Sequence, residues 1–87
     1  MPNYSVELKP SARKELDRLS SKLTQRIFPR LESLASDPRP PGCRKLKGSE
    51  HHWRIRVGDY RIVYAIDDER GLVEVTRIRH RSDVYDY

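Results

Sequence analysis

One cysteine, one methionine, one tryptophan and one phenylalanine occur among 87 residues, and each scarcity removes a class of reading. The lone thiol, Cys43, closes no disulfide within the chain, so a cystine scaffold is excluded and a reducing compartment is the natural setting. Cys43 reads as a small loop side chain rather than a nucleophile. No apolar run approaches the roughly 20 residues of a membrane span, and the opening MPNYSVELKP lacks the apolar stretch of a signal peptide. The expected location is the cytoplasm, with no membrane partner. Repeats and low-complexity tracts are also missing, and the one proline-rich segment, Asp37-Pro38-Arg39-Pro40-Pro41-Gly42, reads as a stiff connector inside a domain.

Charge is what the chain has in quantity. Charged and hydrophobic residues each make up 36%, and 18 Lys and Arg against 13 Asp and Glu leave a formal net charge of +5. The apolar residues nevertheless recur at regular periods, as in a folded chain. One domain over residues 1–87 is expected, burying about 60 to 65% of its unfolded surface around a small core. The basic excess favours a polyanionic or acidic partner.

Tyr4, Val6 and Leu8 alternate with polar residues, giving a first strand that Pro10-Ser11 ends. Ala12, Leu16, Leu19 and Leu23 fall at helical spacing. Ser20-Ser21 divides that pattern from a second helix carrying Leu23, Ile27, Leu31 and Leu34, in which Pro29 predicts a kink or a delayed start. Arg44 to Gly48 reads as a short edge strand, Trp53 to Ile66 as a hairpin, and Leu72 to Arg79 as a last strand after a turn at Asp67 to Gly71. The predicted fold is α+β in the order β-α-α-β-β-β, with a two-helix hairpin covering one face of a small, mainly antiparallel sheet and leaving the other face open.

A two-residue turn at Gly58-Asp59 sorts the hairpin side chains. Trp53, Ile55, Val57, Tyr60, Ile62, Tyr64 and Ile66 then share the core face, and Arg54, Arg56 and Arg61 share the other. Arg56 and Arg61 stand directly opposite, a like-charge pair unfavourable by roughly 0.5 to 1 kcal/mol. The bland reading is a solvated face whose arginines pair with Glu50, Glu74 or Asp83. As a set, with Lys45 and Lys47 nearby, they make a better phosphate cradle, because guanidinium suits bidentate contact with phosphate oxygens.

The closing RIRHRSDVYDY adds His80, Arg81 and Tyr85, groups that can move a proton or stabilise an oxyanion. Phosphodiester cleavage by an RNA 2′-OH needs a proton acceptor, a proton donor and positive charge for the pentavalent transition state, with no metal or cofactor. His51-His52 with His80 makes a poor metal set, since adjacent strand residues point to opposite faces and no Cys or carboxylate completes it.

The element order, the Arg44-Lys45-Leu46-Lys47-Gly48 segment, the Arg54 to Tyr64 hairpin and the closing His80-Arg81-Ser82-Asp83-Val84-Tyr85 resemble the RelE branch of the RelE/ParE toxin superfamily. The hairpin is shared across the superfamily, whereas the terminal His-Arg-x-x-x-Tyr favours RelE-like ribonucleases over ParE-like gyrase poisons. The resemblance implies a toxin that cuts mRNA in the ribosomal A site, paired with a RelB-like antitoxin, and places catalysis on Arg54, Arg56, Arg61, Arg81 and Tyr85. By it Arg61 and Arg81 hold the scissile phosphate, Arg54 and Arg56 position the RNA, and Tyr85 leads as general base. Arg44, Lys45, Lys47 and Arg79 are the expected RNA or ribosome contacts. Better-known relatives often carry lysines where Arg54 and Arg56 stand; arginine stays charged, so proton donation falls to His80. The competing readings are a ParE-like gyrase inhibitor without chemistry of its own and a basic nucleic-acid-binding module.

Overall fold

Local spacing explains where the helices start and stop in the computed structural model, which describes residues 3–83. After β1 (Ser5–Leu8), α1 (Pro10–Asp17) begins on a proline whose fixed φ suits a first helical turn. The divide at Ser20-Ser21 is real: the Ser20 hydroxyl accepts the Leu23 N–H at 3.2 Å and caps α2 (Ser21–Ser33). α2 runs through Pro29, so its start is not delayed to the proline as the sequence suggested. Pro29 and Gln25 are both on the exposed side, where water can reach the Gln25 carbonyl that the proline leaves without its N–H.

The strands β2 (Arg44–Lys45), β3 (His52–Val57), β4 (Tyr60–Asp67) and β5 (Leu72–His80) follow, and a 3-10 turn at Arg81–Asp83 comes after them. With the short β2, the edge strand expected at Arg44 to Gly48, counted, the order is β-α-α-β-β-β-β; the β-α-α-β-β-β shorthand leaves that strand out. The sheet order is β1-β5-β4-β3-β2, antiparallel except for β1 against β5. Gly58 at φ +59°, with no positive-φ residue other than glycine among the described residues, makes the β3–β4 turn a type II′ arrangement. Val57 faces Tyr60, Arg56 faces Arg61 and Trp53 faces Tyr64, the predicted register.

Ala12, Leu16, Ile27, Leu31 and Leu34 pack on Ile55, Val57, Ile62, Tyr64, Ile66, Val73, Val75 and Ile78. Trp53 and Tyr60 lie at the margin of this core, half-buried. The Tyr64 hydroxyl donates to the Pro38 carbonyl at 2.7 Å, which ties the proline-rich connector to the sheet, and burial raises its pKa. Arg39 from the same connector lies 5.1 Å over the Trp53 ring and pairs with Asp68 at 3.0 Å. Among the described residues no helix is long and apolar enough to cross a membrane.

Two features of β5 set the open face. First, Val63 pairs with Arg77 but Tyr64 pairs with Val75, so Thr76 is an extra residue on β5. This bulge switches the alternation: Val73 and Val75 point into the core, then Ile78 does, and Arg77 and Arg79 turn to the open side. Without it the same strand would drive two arginines under the helices. Second, β1 ends at Leu8 opposite Val75, and α1 takes over the edge of β5 beyond it. Ser11 Oγ donates to the Thr76 carbonyl at 2.7 Å and the Ile78 N–H donates to Glu15 Oε1 at 2.8 Å, so both outward backbone groups are satisfied.

Candidate functional site

Strand pairing brings the open-face arginines into two rows. Arg56, Arg61 and Arg79 are direct cross-strand neighbours on β3, β4 and β5. The next row is Arg44, Arg54, Val63 and Arg77. Rows two residues apart on a strand are separated by about 7 Å. Arg81 joins from the 3-10 turn, where its N–H donates to the Asp59 carbonyl at 2.7 Å and so fixes the turn to the hairpin tip. Arg56 Nε donates to the Gly58 carbonyl at 3.1 Å across the same tip.

Arg61 is the centre of this arrangement. Its pKa is lowered, first by burial and then by the positive charges of Arg56, Arg54 and Arg81. Arg61 Nη1 is buried and has no hydrogen-bond partner among the described residues. Among the described side chains no carboxylate comes within 4.0 Å of Arg54, Arg56 or Arg61. Glu74, one of the partners the bland reading offered, pairs with Lys9 at 3.2 Å instead; the Asp83 side chain lies outside the described residues.

A carboxylate that sequence reasoning missed orders one flank of the rows. Glu15 takes Arg77 through two nitrogens, Nη2 at 3.1 Å and Nε at 3.3 Å, and holds Arg79 Nε at 3.5 Å. Together with the Ile78 N–H this fills its acceptor positions. The only trace in the sequence is the i, i+4 spacing of Ser11 and Glu15 beside the apolar stripe of α1.

Not every predicted site residue reaches the rows. Lys47 stands on the open side, beside Val63 and Arg77 in a groove of that face. Lys45 pairs with Trp53 and so falls on the helix side of the edge strand, a correction to its grouping with the arginines. His80 pairs with Tyr60, a core-side residue, and its ring meets the Tyr60 ring edge-on at 5.5 Å, in a cleft lined by Leu23, Arg26 and Ile27. That is the face opposite Arg56, Arg61 and Arg79. The Ser82 N–H donates to His80 Nδ1 at 3.3 Å, which leaves the neutral ring's proton on Nε2. The geometry gives His80 the work of packing the strand end and anchoring the turn that carries Arg81. Tyr85 lies outside the described residues. No group of three or more His, Cys, Asp or Glu among the described residues is placed to hold a metal ion.

Chemically, the cluster of Arg54, Arg56 and Arg61, with no carboxylate within 4.0 Å among the described side chains, is a receptor for a phosphate, and a better one for a phosphate gaining charge.

Residues 6–85 match the family described as the ParE toxin of a type II toxin-antitoxin system. Toxin RelG of Mycobacterium tuberculosis is 31% identical over 86 residues, covering 94% of this chain and 95% of that protein. Among solved structures, the toxin-antitoxin complex RelBE2 of Mycobacterium tuberculosis has a similar chain with a TM-score of 0.79 and 29% identity, over 95% of this chain and 97% of that one. The intact RelBE toxin-antitoxin complex of Escherichia coli has one with a TM-score of 0.78 and 26% identity, over 88% and 95%. The family match carries the ParE name and the relatives carry the RelE name, so the agreement is on the superfamily the two share.

Proposed function

From the premise that the chain belongs to the RelE/ParE family of toxins of type II toxin-antitoxin systems, we propose that it is a ribosome-dependent endoribonuclease. It acts as one domain in the cytoplasm, cuts mRNA at the A-site codon and is held inactive by a RelB-like antitoxin. The observation that carries this reading is Arg61: a guanidinium with one buried, unpartnered N–H amid like charge, and with no carboxylate within 4.0 Å of it among the described side chains. An inhibitor that works only by docking on a protein has no need of that arrangement, whereas a transferring phosphate does.

In the proposed reaction Arg61 and Arg81 grip the non-bridging oxygens of the scissile phosphate. As the 2′-oxygen attacks, charge builds on those oxygens, and donors already in place lower the barrier without reorganising. Arg54 and Arg56 align the neighbouring backbone, which keeps the 2′-oxygen in line with the departing 5′-oxygen. Tyr85 is the proposed general base, on the resemblance alone. His80, on the other face, leaves the chemistry; the 5′-oxygen is protonated by water, its charge eased by the arginine rows. Arg44, Lys47 and Arg79 contribute binding. Glu15 keeps Arg77 and Arg79 on their flank, so that they do not crowd Arg61.

Induced expression in bacteria separates this from gyrase inhibition. Incorporation of labelled amino acids is expected to stop first, with new mRNA ends inside codons and plasmid supercoiling unchanged. Intact mRNA with relaxed plasmid and broken DNA would replace the proposal by the gyrase reading.

A further inference from the structure

His52 is used neither by the fold nor by the chemistry proposed above, yet it is a built feature of the open face. Beside the second arginine row that face dips into a groove of about 690 Å³. Leu46 and Val63, both buried and apolar, form its floor, and Lys47 and Arg77 stand at its rim. His52 lies two residues before Arg54 on β3, on the same face, about 7 Å along the strand.

The imidazole is held in one tautomer. Ser49 Oγ accepts the N–H of His51 at 3.3 Å and that of His52 at 3.2 Å, so its own proton goes to His52 Nδ1 at 2.7 Å. With Nδ1 accepting, the ring proton is on Nε2, the edge turned away from Ser49. A fixed donor above an apolar floor, next to cations, has the parts of a nucleotide subsite: a flat surface for a base, one hydrogen bond to its edge, and charge for its phosphate.

We infer that this groove takes the RNA nucleotide adjoining the scissile phosphate, its base over Leu46 and Val63, and that His52 selects the base. The inference rests on the ribonuclease reading. Set against O6 of a purine or O4 of a pyrimidine, the single N–H donor favours guanine and uracil, which carry a carbonyl oxygen there, over adenine and cytosine, which carry an amino group. Lys47 holds the flanking phosphate, and Ser49 acts as the positioning residue that keeps the donor pointing outward.

The test uses ribosomes carrying mRNAs that differ only in one codon base, each position being varied in turn, with the wild type, His52→Ala and Ser49→Ala. At one position the wild type is expected to cut guanine and uracil codons about five- to tenfold faster than adenine and cytosine codons. His52→Ala loses that ratio because its rate on the favoured bases falls to the level of the others. Ser49→Ala narrows the ratio by letting the ring present either nitrogen, and thermal unfolding checks that both variants are folded. A wild type that cuts without this preference, or a folded His52→Ala that keeps it, overturns the inference alone. A wild type that never cuts overturns the ribonuclease reading and this inference with it.

Discussion

Replacing Arg61 by Met should make the free protein more stable while removing its activity. Arg61 has a like charge directly opposite it in Arg56, whereas Arg79 on its other side is held by Glu15. The Arg56 pair costs on the order of 0.2 to 1 kcal/mol, and the buried N–H without a partner adds about 1 kcal/mol more. Met keeps most of the aliphatic stem, so the variant should gain about 1 to 2 kcal/mol, or about 4 to 16 °C in melting temperature for a chain of this size. Salt is the diagnostic variable. The Debye length falls from about 10 Å at 0.1 M to about 3 Å at 1 M, so the wild type should recover much of the gap at high salt, and phosphate or sulfate should stabilise it further. A change of pH is a poor probe. A cation whose folded-state pKa is depressed costs stability wherever it is protonated, and the cost is relieved only as pH rises through that pKa, which for arginine lies beyond working conditions. Scanning calorimetry of both proteins at two salt concentrations measures the effect. A variant less stable than the wild type, or a gap that salt does not change, would refute the account of Arg61 as a strained anion receptor.

Three further substitutions probe the scaffold. Glu15→Gln keeps a group to accept the Ile78 N–H but drops the charge on Arg77 and Arg79; a loss of about 1 kcal/mol in urea unfolding is expected, with slower cleavage as Arg79 is released toward Arg61. Tyr64→Phe strands the buried Pro38 carbonyl and should cost about 1 to 2 kcal/mol with cleavage retained. Because burial raises the Tyr64 pKa, the stability from this residue is complete below pH about 10 and is lost as pH rises further, a loss that unfolding at alkaline pH should show in the wild type and not in the variant. Gly58→Ala puts a side chain at φ +59° with its Cβ 3.2 Å from Arg26 Nη2. The arginine can move aside, so the expected cost of about 1 kcal/mol is that of the backbone, seen as a lower denaturation midpoint.

The hairpin was legible from sequence because its turn is chemically specified and its alternation is strict, so one register puts every apolar residue on one side. That was enough to find Arg54, Arg56 and Arg61. β5 was harder. Leu72 to His80 reads as alternation, but the phase changes at Thr76, and only the pairing with β4 reveals the bulge that sends Arg77 and Arg79 outward and His80 inward. Glu15 was invisible for a related reason: its partners are more than 60 residues away in sequence, and a polar residue beside an apolar stripe looks like any solvated helix position. Lys45 was grouped by proximity in the chain, which a strand's two faces overrule.

The most direct test of the central claim is to incubate the purified chain and its Arg61→Ala variant with ribosomes programmed with a defined mRNA, and with the mRNA alone, and to identify the new ends chemically. The account predicts ribosome-dependent cuts confined to the A-site codon, a 2′,3′-cyclic phosphate upstream and a 5′-hydroxyl downstream, all lost in the variant. Cuts that persist in Arg61→Ala, fragments bearing 5′-phosphates, or no cuts under any condition would contradict it.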